Sequence, residues 1–307
     1  MKKRIFSSIL SLLIPFVVFA QTPESFQTDD DETLYYTRAG SGPRVILLCG
    51  GPGFGASFMY PWLDSLANQF EVVLFEQRGT GFSAKVRLDS TTINVQRACQ
   101  DIDNLRNHFE DNELTICGYS WGGMLALAYA ARYPDHVRNL VLLSTGPIDP
   151  STNRAFSDNI TWNTYPAERD SIAYWSTPEH REPDPARADL LRMTFSLMNR
   201  FYDHNLGREM LGGSLRNVDY NPVMFRLMWK DIYKNFNFAE AARCYKGRCS
   251  IIRARQDVIP AEVVFKIRET LPQSEIYFIE RCGHLADLEK PKELFLLLRI
   301  VLAEEDE

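Results

Sequence analysis

The stretch that most constrains this chain is Gly118-Tyr119-Ser120-Trp121-Gly122. It follows a short apolar run, Leu114-Thr115-Ile116-Cys117, and precedes a run of small and apolar residues from Gly123 to Ala131. This order predicts a strand, a sharp turn and a helix, with a serine at the apex. Glycines on either side let neighbouring backbone approach such a turn closely. The serine hydroxyl is then exposed, and the N-terminus of the following helix aims free N–H groups at any developing negative charge. The plainer alternative is a tight glycine turn that happens to carry a serine. The strand before it and the helix after it favour the nucleophile-bearing turn.

Strand and helix patterns alternate around that turn. Leu34–Thr37 reads as a strand, Arg44–Cys49 as a buried one and Glu71–Phe75 as a third. Thr92 to Phe109 has helical spacing through Ile93, Val95, Ala98, Ile102, Leu105 and Phe109. Asn139–Ser144, Ser250–Ala254 and Glu275–Ile279 are further strands; Ala261–Leu271 and Pro291–Leu302 are helices. Continuous apolar strands separated by helices predict an α/β fold, a mostly parallel sheet with helices on both faces. The alternation stops at Pro147 and resumes near Cys249. Residues 33–146 and 249–307 are therefore expected to form the core, and 147–248, rich in aromatics and without clear strands, an inserted helical cap. Residues 21–32 are polar and read as a loose lead-in.

The N-terminus does not read as part of the fold. Lys2-Lys3-Arg4, the apolar stretch Ile5–Phe19 and the small residues of Val18-Phe19-Ala20 match a secretory signal peptide cut after Ala20. The apolar run is shorter than the roughly 20 residues a membrane span needs. The expectation is a secreted or periplasmic protein without stable membrane insertion. An oxidising compartment allows disulfides, but the six cysteines form no dense framework. Cys99 and Cys117 read as buried thiols, and Cys244 and Cys249 are close enough in sequence to bridge. No cysteine and histidine pairs have zinc spacing, so no metal is expected. With a formal charge of −6 and no basic run after residue 4, nucleic acid is not an expected partner.

A serine nucleophile needs a base, and the base an orienting acid; the chain order for this strand–turn–helix arrangement is serine, acid, histidine. Of five histidines, His284 follows the last strand in Cys282-Gly283-His284, at the sheet edge where the Ser120 turn lies. His108, His136, His180 and His204 read as surface or cap residues. Asp257 ends the preceding strand region, although it also suits the cap of the helix after Pro260. An oxyanion hole needs two backbone N–H groups. Trp121, next to the serine, supplies one; Gly51, in Gly50-Gly51-Pro52-Gly53-Phe54-Gly55, is the candidate for the other.

Together these segments resemble alpha/beta hydrolases of the prolyl aminopeptidase (proline iminopeptidase) type. The family loop His-Gly-Gly-Pro-Gly appears as Cys49-Gly50-Gly51-Pro52-Gly53. Its Asp-Gln-Arg-Gly-x-Gly-x-Ser motif appears as Glu76-Gln77-Arg78-Gly79-Thr80-Gly81-Phe82-Ser83, and its Gly-x-Ser-Trp-Gly as Gly118–Gly122. Gly-x-x-Asp and Gly-His segments are similar to Ala254–Asp257 and Gly283-His284. Cys49, Glu76 and Ala254 depart from the pattern; Cys49 and Glu76 are expected beside the serine, acid and histidine but not among them, and Ala254 replaces a glycine at a strand end. The resemblance implies the alpha/beta-hydrolase fold, no cofactor, and cleavage of an N-terminal, proline-type residue from short peptides through an acyl-enzyme. Family cap glutamates hold the substrate's amino group. Glu168 and Glu209 are first candidates here, with Glu179, Glu182, Asp203 and Asp231 behind them. A carboxylesterase or lactonase acting on a small ester is the alternative, and a non-catalytic ligand-binding protein a third.

Overall fold

The computed structural model describes residues 22–214 and 219–303. The expected signal segment, residues 1–20, lies outside the described residues. Eight strands form one sheet in the order β1-β2-β4-β3-β5-β6-β7-β8. They are β1 (Glu24–Gln27), β2 (Thr33–Ala39), β3 (Arg44–Leu48), β4 (Glu71–Glu76), β5 (Leu114–Tyr119), β6 (Val137–Leu143), β7 (Arg248–Ala254) and β8 (Glu275–Ile279). The pairings β1–β2 and β2–β4 are antiparallel; the rest of the sheet is parallel.

The apolar strand runs explain the two-sided burial. Side chains alternate across a strand, so Ile46, Leu48, Val73, Phe75 and Ile116 fall into one hydrophobic cluster, and Val45, Leu47, Val72, Leu74 and Cys117 into another. Helices α1 (Tyr60–Leu66), α2 (Val95–His108) and α3 (Trp121–Arg132) belong to the first half of the chain. Between β6 and β7 come α4 (Asn153–Asn163), α5 (Pro166–Tyr174), α6 (Pro178–Arg181), α7 (Pro185–Leu197), α8 (His204–Ser214), α9 (Pro222–Asn235) and α10 (Ala239–Ala242). Last are α11 (Ala261–Thr270), α12 (Ala286–Glu289) and α13 (Pro291–Ala303). Helices α2, α3 and α11 cover one face of the sheet; α1 and α13 cover the other.

The segment between β6 and β7 divides in two. Helix α9 turns Met224, Met228 and Ile232 into the main core. Helices α7 and α8 and the turn between them enclose a much smaller cluster around Met198, Phe201 and Leu211. Proline opens α5, α6, α7 and α9, where its missing N–H would have no helical partner anyway.

Three expectations need correction. Residues 21–32, expected as a loose lead-in, contain β1: β1 and β2 form a hairpin across the Thr28–Glu32 turn, with Phe26 buried. Phe26 alone faces the core among polar neighbours, which hides the strand in the sequence. The hairpin turn is fixed by Arg78, whose guanidinium bonds both Asp30 and the buried Asp101. Helix α2 starts at Val95 rather than Thr92, because the Asn94 side chain accepts from the Arg97 N–H and caps it. The Cys244–Cys249 bridge is not formed. All six cysteines are free thiols; Cys249 is buried in β7, whereas Cys244 is exposed. No helix among the described residues is long and apolar enough to cross a membrane.

Candidate active site

Ser120 lies between β5 and α3 with φ 55° and ψ −114°. A non-glycine residue held there stores about 1–3 kcal/mol of strain, so its surroundings must enforce the turn. They do so through close backbone contacts. A Cβ at Gly122 would lie 2.1 Å from the Leu48 carbonyl oxygen, and one at Gly118 would lie 2.3 Å from that of Gly122. The Ser120 N–H donates to the Leu143 carbonyl at 2.9 Å, and its own carbonyl accepts from Gly123 and Met124. From Ile116 to Ala131 every residue is buried except Ser120, which is half-buried. The strained turn therefore lifts one hydroxyl out of an otherwise closed core.

His284 meets that hydroxyl. Its Nε2 lies 2.9 Å from Ser120 Oγ, and its Nδ1 lies 2.9 Å from Asp257 Oδ1. The ring stacks on Tyr119, whose hydroxyl donates to the His284 carbonyl at 3.1 Å. Asp257 is fully enclosed. Burial pushes its carboxyl up, but His284, the Ile259 N–H and the nearby Arg253 outweigh burial and leave it below its ordinary value. An ionised carboxylate at Nδ1 fixes the imidazole with Nε2 free to accept the serine proton. Sequence reasoning named all three residues, and the fold brings them together from three separate loops.

The loop after β3 carries Gly51 at φ 65°, with Phe54 folded over it; a Cβ at Gly51 would meet that ring at 2.5 Å. Neither the Gly51 nor the Trp121 N–H donates to a protein acceptor among the described residues. Gly50 of the same loop lies against Ser120, where an added Cβ would meet the Ser120 Cβ at 3.0 Å, and a tetrahedral oxyanion requires two free N–H donors. The departures from the family motifs are accommodated locally. The Cys49 thiol points at the Phe54 carbonyl, and burial pushes it above its ordinary value. Glu76, raised by burial, accepts from the Ala56 N–H at 3.0 Å.

The cap carboxylates are either engaged by protein partners or exposed. Glu168 is 1% exposed, but both of its oxygens are engaged. One accepts from the Tyr165 N–H at 2.9 Å, completing the start of α5, and the other lies 2.6 Å from His204 Nδ1. Glu209, Glu179 and Glu182 are exposed. Asp203 caps α8 and Asp231 accepts from the Val95 N–H at the start of α2. The Glu168–Tyr165 and Asp203–Asn205 contacts are local helix-start pairs, whereas the Asp231–Val95 contact depends on a partner far along the chain.

Sequence spacing missed how the cap holds the His284 loop. The His284 N–H donates to the Arg200 carbonyl at 2.6 Å. Glu289 accepts from the N–H groups of Gly283, Tyr202 and Asp203. On the opposite side, the Asn221 N–H donates to the Gly53 carbonyl at 2.7 Å and the Gly55 N–H to the Asp219 carbonyl at 2.9 Å. Among the described residues, no group of three or more His, Cys, Asp or Glu is placed to hold a metal.

Sheet order, strand–turn–helix serine and paired histidine and aspartate together define a class. Residues 43–291 match the alpha/beta hydrolase fold family, and the chain belongs to it. Within that family it is similar to a probable proline iminopeptidase of Leptolyngbya boryana, 27% identical and covering 82% of this chain and 85% of the relative. A cis-3-alkyl-4-alkyloxetan-2-one decarboxylase of Shewanella oneidensis is 29% identical over 45% of this chain and 42% of its own. Among solved structures, an alpha/beta fold family hydrolase of Bacillus anthracis superposes with a TM-score of 0.71 at 18% identity, covering 92% of this chain and 99% of that one.

Proposed function

We propose that this protein is a serine hydrolase that works through an acyl-enzyme, with Ser120 as nucleophile, His284 as general base and then acid, and Asp257 as its orienting partner. The observation that carries the reading is the unbroken line Ser120 Oγ–His284 Nε2, His284 Nδ1–Asp257 Oδ1, at 2.9 Å for each contact. Ser120 Oγ attacks a substrate carbonyl as its proton passes to Nε2. The oxyanion is assigned to the Gly51 and Trp121 N–H groups. Nε2 then gives the proton to the leaving group, and a water activated by the same nitrogen releases the acyl group. The substrate we propose is a short peptide with a free N-terminal residue of the proline type. Its support is the motif set together with a proline iminopeptidase relative that spans most of the chain.

A second reading, hydrolysis of a small ester or lactone, is favoured by one observation. Glu168 is engaged by Tyr165 and His204, and Glu209 is exposed, so neither stands ready for a substrate ammonium. One comparison separates the two readings. A buried α-ammonium needs a carboxylate partner, and breaking such a pair costs at least about 2 kcal/mol. N-acetylation of proline p-nitroanilide is therefore expected to lower kcat/KM by about thirtyfold or more. Equal turnover of the free and acetylated anilides removes the aminopeptidase reading. Turnover of p-nitrophenyl acetate alone selects the esterase, with the same three residues.

A further inference from the structure

We infer that Gln77 is a positioning residue for the oxyanion hole, one side-chain amide that ties together the two backbone segments supplying its N–H groups. The inference rests on the serine-hydrolase reading above. Gln77 follows β4 and is buried. Its Nε2 donates to the Cys49 carbonyl at 3.0 Å and approaches the Cys49 sulfur at 3.4 Å. Its Oε1 accepts from the Trp121 indole Nε1–H at 2.8 Å. Cys49 leads directly into Gly50-Gly51, and Trp121 begins α3 directly after Ser120. The two assigned donors come from segments about seventy residues apart in the chain, and Gln77 contacts both.

The chemistry of the amide matters. A carbonyl oxygen stands on one side and an indole N–H on the other. Only a group with a donor and an acceptor in fixed relation satisfies both, and the partners fix which way the amide points. A carboxylate offers acceptors only and would face the Cys49 carbonyl with like charge. An aliphatic side chain would leave a buried carbonyl and a buried indole N–H unpaired, at a cost for each. The same glutamine also explains why Trp121 suits the position after the serine. The buried indole lets Gln77 grip the residue whose backbone N–H is used, which a smaller apolar side chain would not.

Donors aimed in advance at a developing charge need no reorganisation during the reaction, so a small error in aim falls on the transition state rather than on substrate binding. Gln77→Met, Gln77→Glu and Trp121→Phe are compared with wild type in hydrolysis of p-nitrophenyl acetate and in inhibition by phenylboronic acid, whose serine adduct is tetrahedral and anionic. The expected result is a kcat lower by about 10- to 100-fold, below the roughly 10²–10³ that losing a hole donor outright costs. KM is expected to stay within about twofold and the boronate Ki to rise in step with the fall in kcat. Trp121→Phe removes the indole donor alone, so combining it with Gln77→Met should cost less than the two changes added.

Gln77→Glu keeps the length and shape of the side chain and gives the same reading if Gln77→Met does not fold. A lowered kcat matched by a raised KM, or an unmoved boronate Ki, makes Gln77 a packing residue and overturns the inference. Ser120→Ala runs in the same series. If it retains turnover and boronate binding, the serine-hydrolase reading falls, and this inference with it. If it loses both while the Gln77 variants match wild type, only this inference falls.

Discussion

The two sides of the site are built from different parts of the molecule. Ser120 is held by the sheet and helix α3: Leu143 takes its N–H, Gly123 and Met124 bond its carbonyl, Leu48 packs against Gly122, and Gly118 lies against Gly122. His284 is held half by the core and half by the cap. Tyr119 lies under its ring, but its N–H donates to Arg200, and Glu289 fastens the neighbouring Gly283 to Tyr202 and Asp203. A Cβ at Gly283 would meet the Arg200 carbonyl at 2.3 Å. The nucleophile is thus fixed by the sheet and helix α3, and the base by a loop wedged beneath the small cluster around Met198, Phe201 and Leu211. Cap residues bond the His284 loop and, through Asn221 and Asp219, the loop after β3.

The largest expected effect tests whether the two sides act as one unit. Ser120→Ala or His284→Ala should each lower kcat by several orders of magnitude, up to about 10⁶, and the double variant should be little worse than either. Steady-state kinetics on whichever substrate is turned over measures this. Additive losses would mean that serine and histidine serve separate steps.

Asp257→Asn comes next, with kcat lower by about 10⁴, the scale that the same change produces in serine proteases. It also carries a stability signature. The Asp257 carboxyl lies below its ordinary value in the folded state. A depressed carboxyl stabilises the fold above its unfolded pKa of about 3.9, and that contribution is lost as pH falls through the lower folded value. Urea midpoints measured down the acid limb should therefore fall less steeply for Asp257→Asn than for wild type. Identical slopes would remove the charged pairing with His284.

The core half of this contrast could be read from the chain because its signals are local. Continuous apolar runs announce β3 to β6, and glycines at positions 118 and 122 announce a turn too tight for any Cβ. The order serine, aspartate, histidine then leaves few choices among five histidines. The cap half was legible as helical and little more. Glu168 looks like any cap carboxylate until His204, thirty-six residues later, closes on it. The Asn221 side chain caps α9, and its backbone link to the Gly53 carbonyl depends on how the cap lies over the sheet. Glu76 and Arg78 stood out in a motif, but their partners Ala56, Asp30 and Asp101 come from three other segments. Each of these contacts is set by tertiary packing, which no spacing rule encodes.

The smallest effect sharpens the contrast from the cap side. Leu47 is fully buried in β3, and Leu47→Ala should cost about 2–5 kcal/mol by removing apolar contacts and leaving a cavity. Trp162 is a larger side chain, yet it is 81% exposed on α4, a helix without a single buried residue. Truncating it removes little that folding had taken out of water, so Trp162→Ala should change stability by no more than about 0.5 kcal/mol. Size alone would predict the reverse order, which makes the pair informative. Urea unfolding of both variants under one condition supplies the numbers. A loss above about 1 kcal/mol at Trp162, outside the range for an exposed side chain, would show that the α4 face is packed in solution. The cap would then be as firmly built as the sheet, and the unequal support of Ser120 and His284 would have to be abandoned.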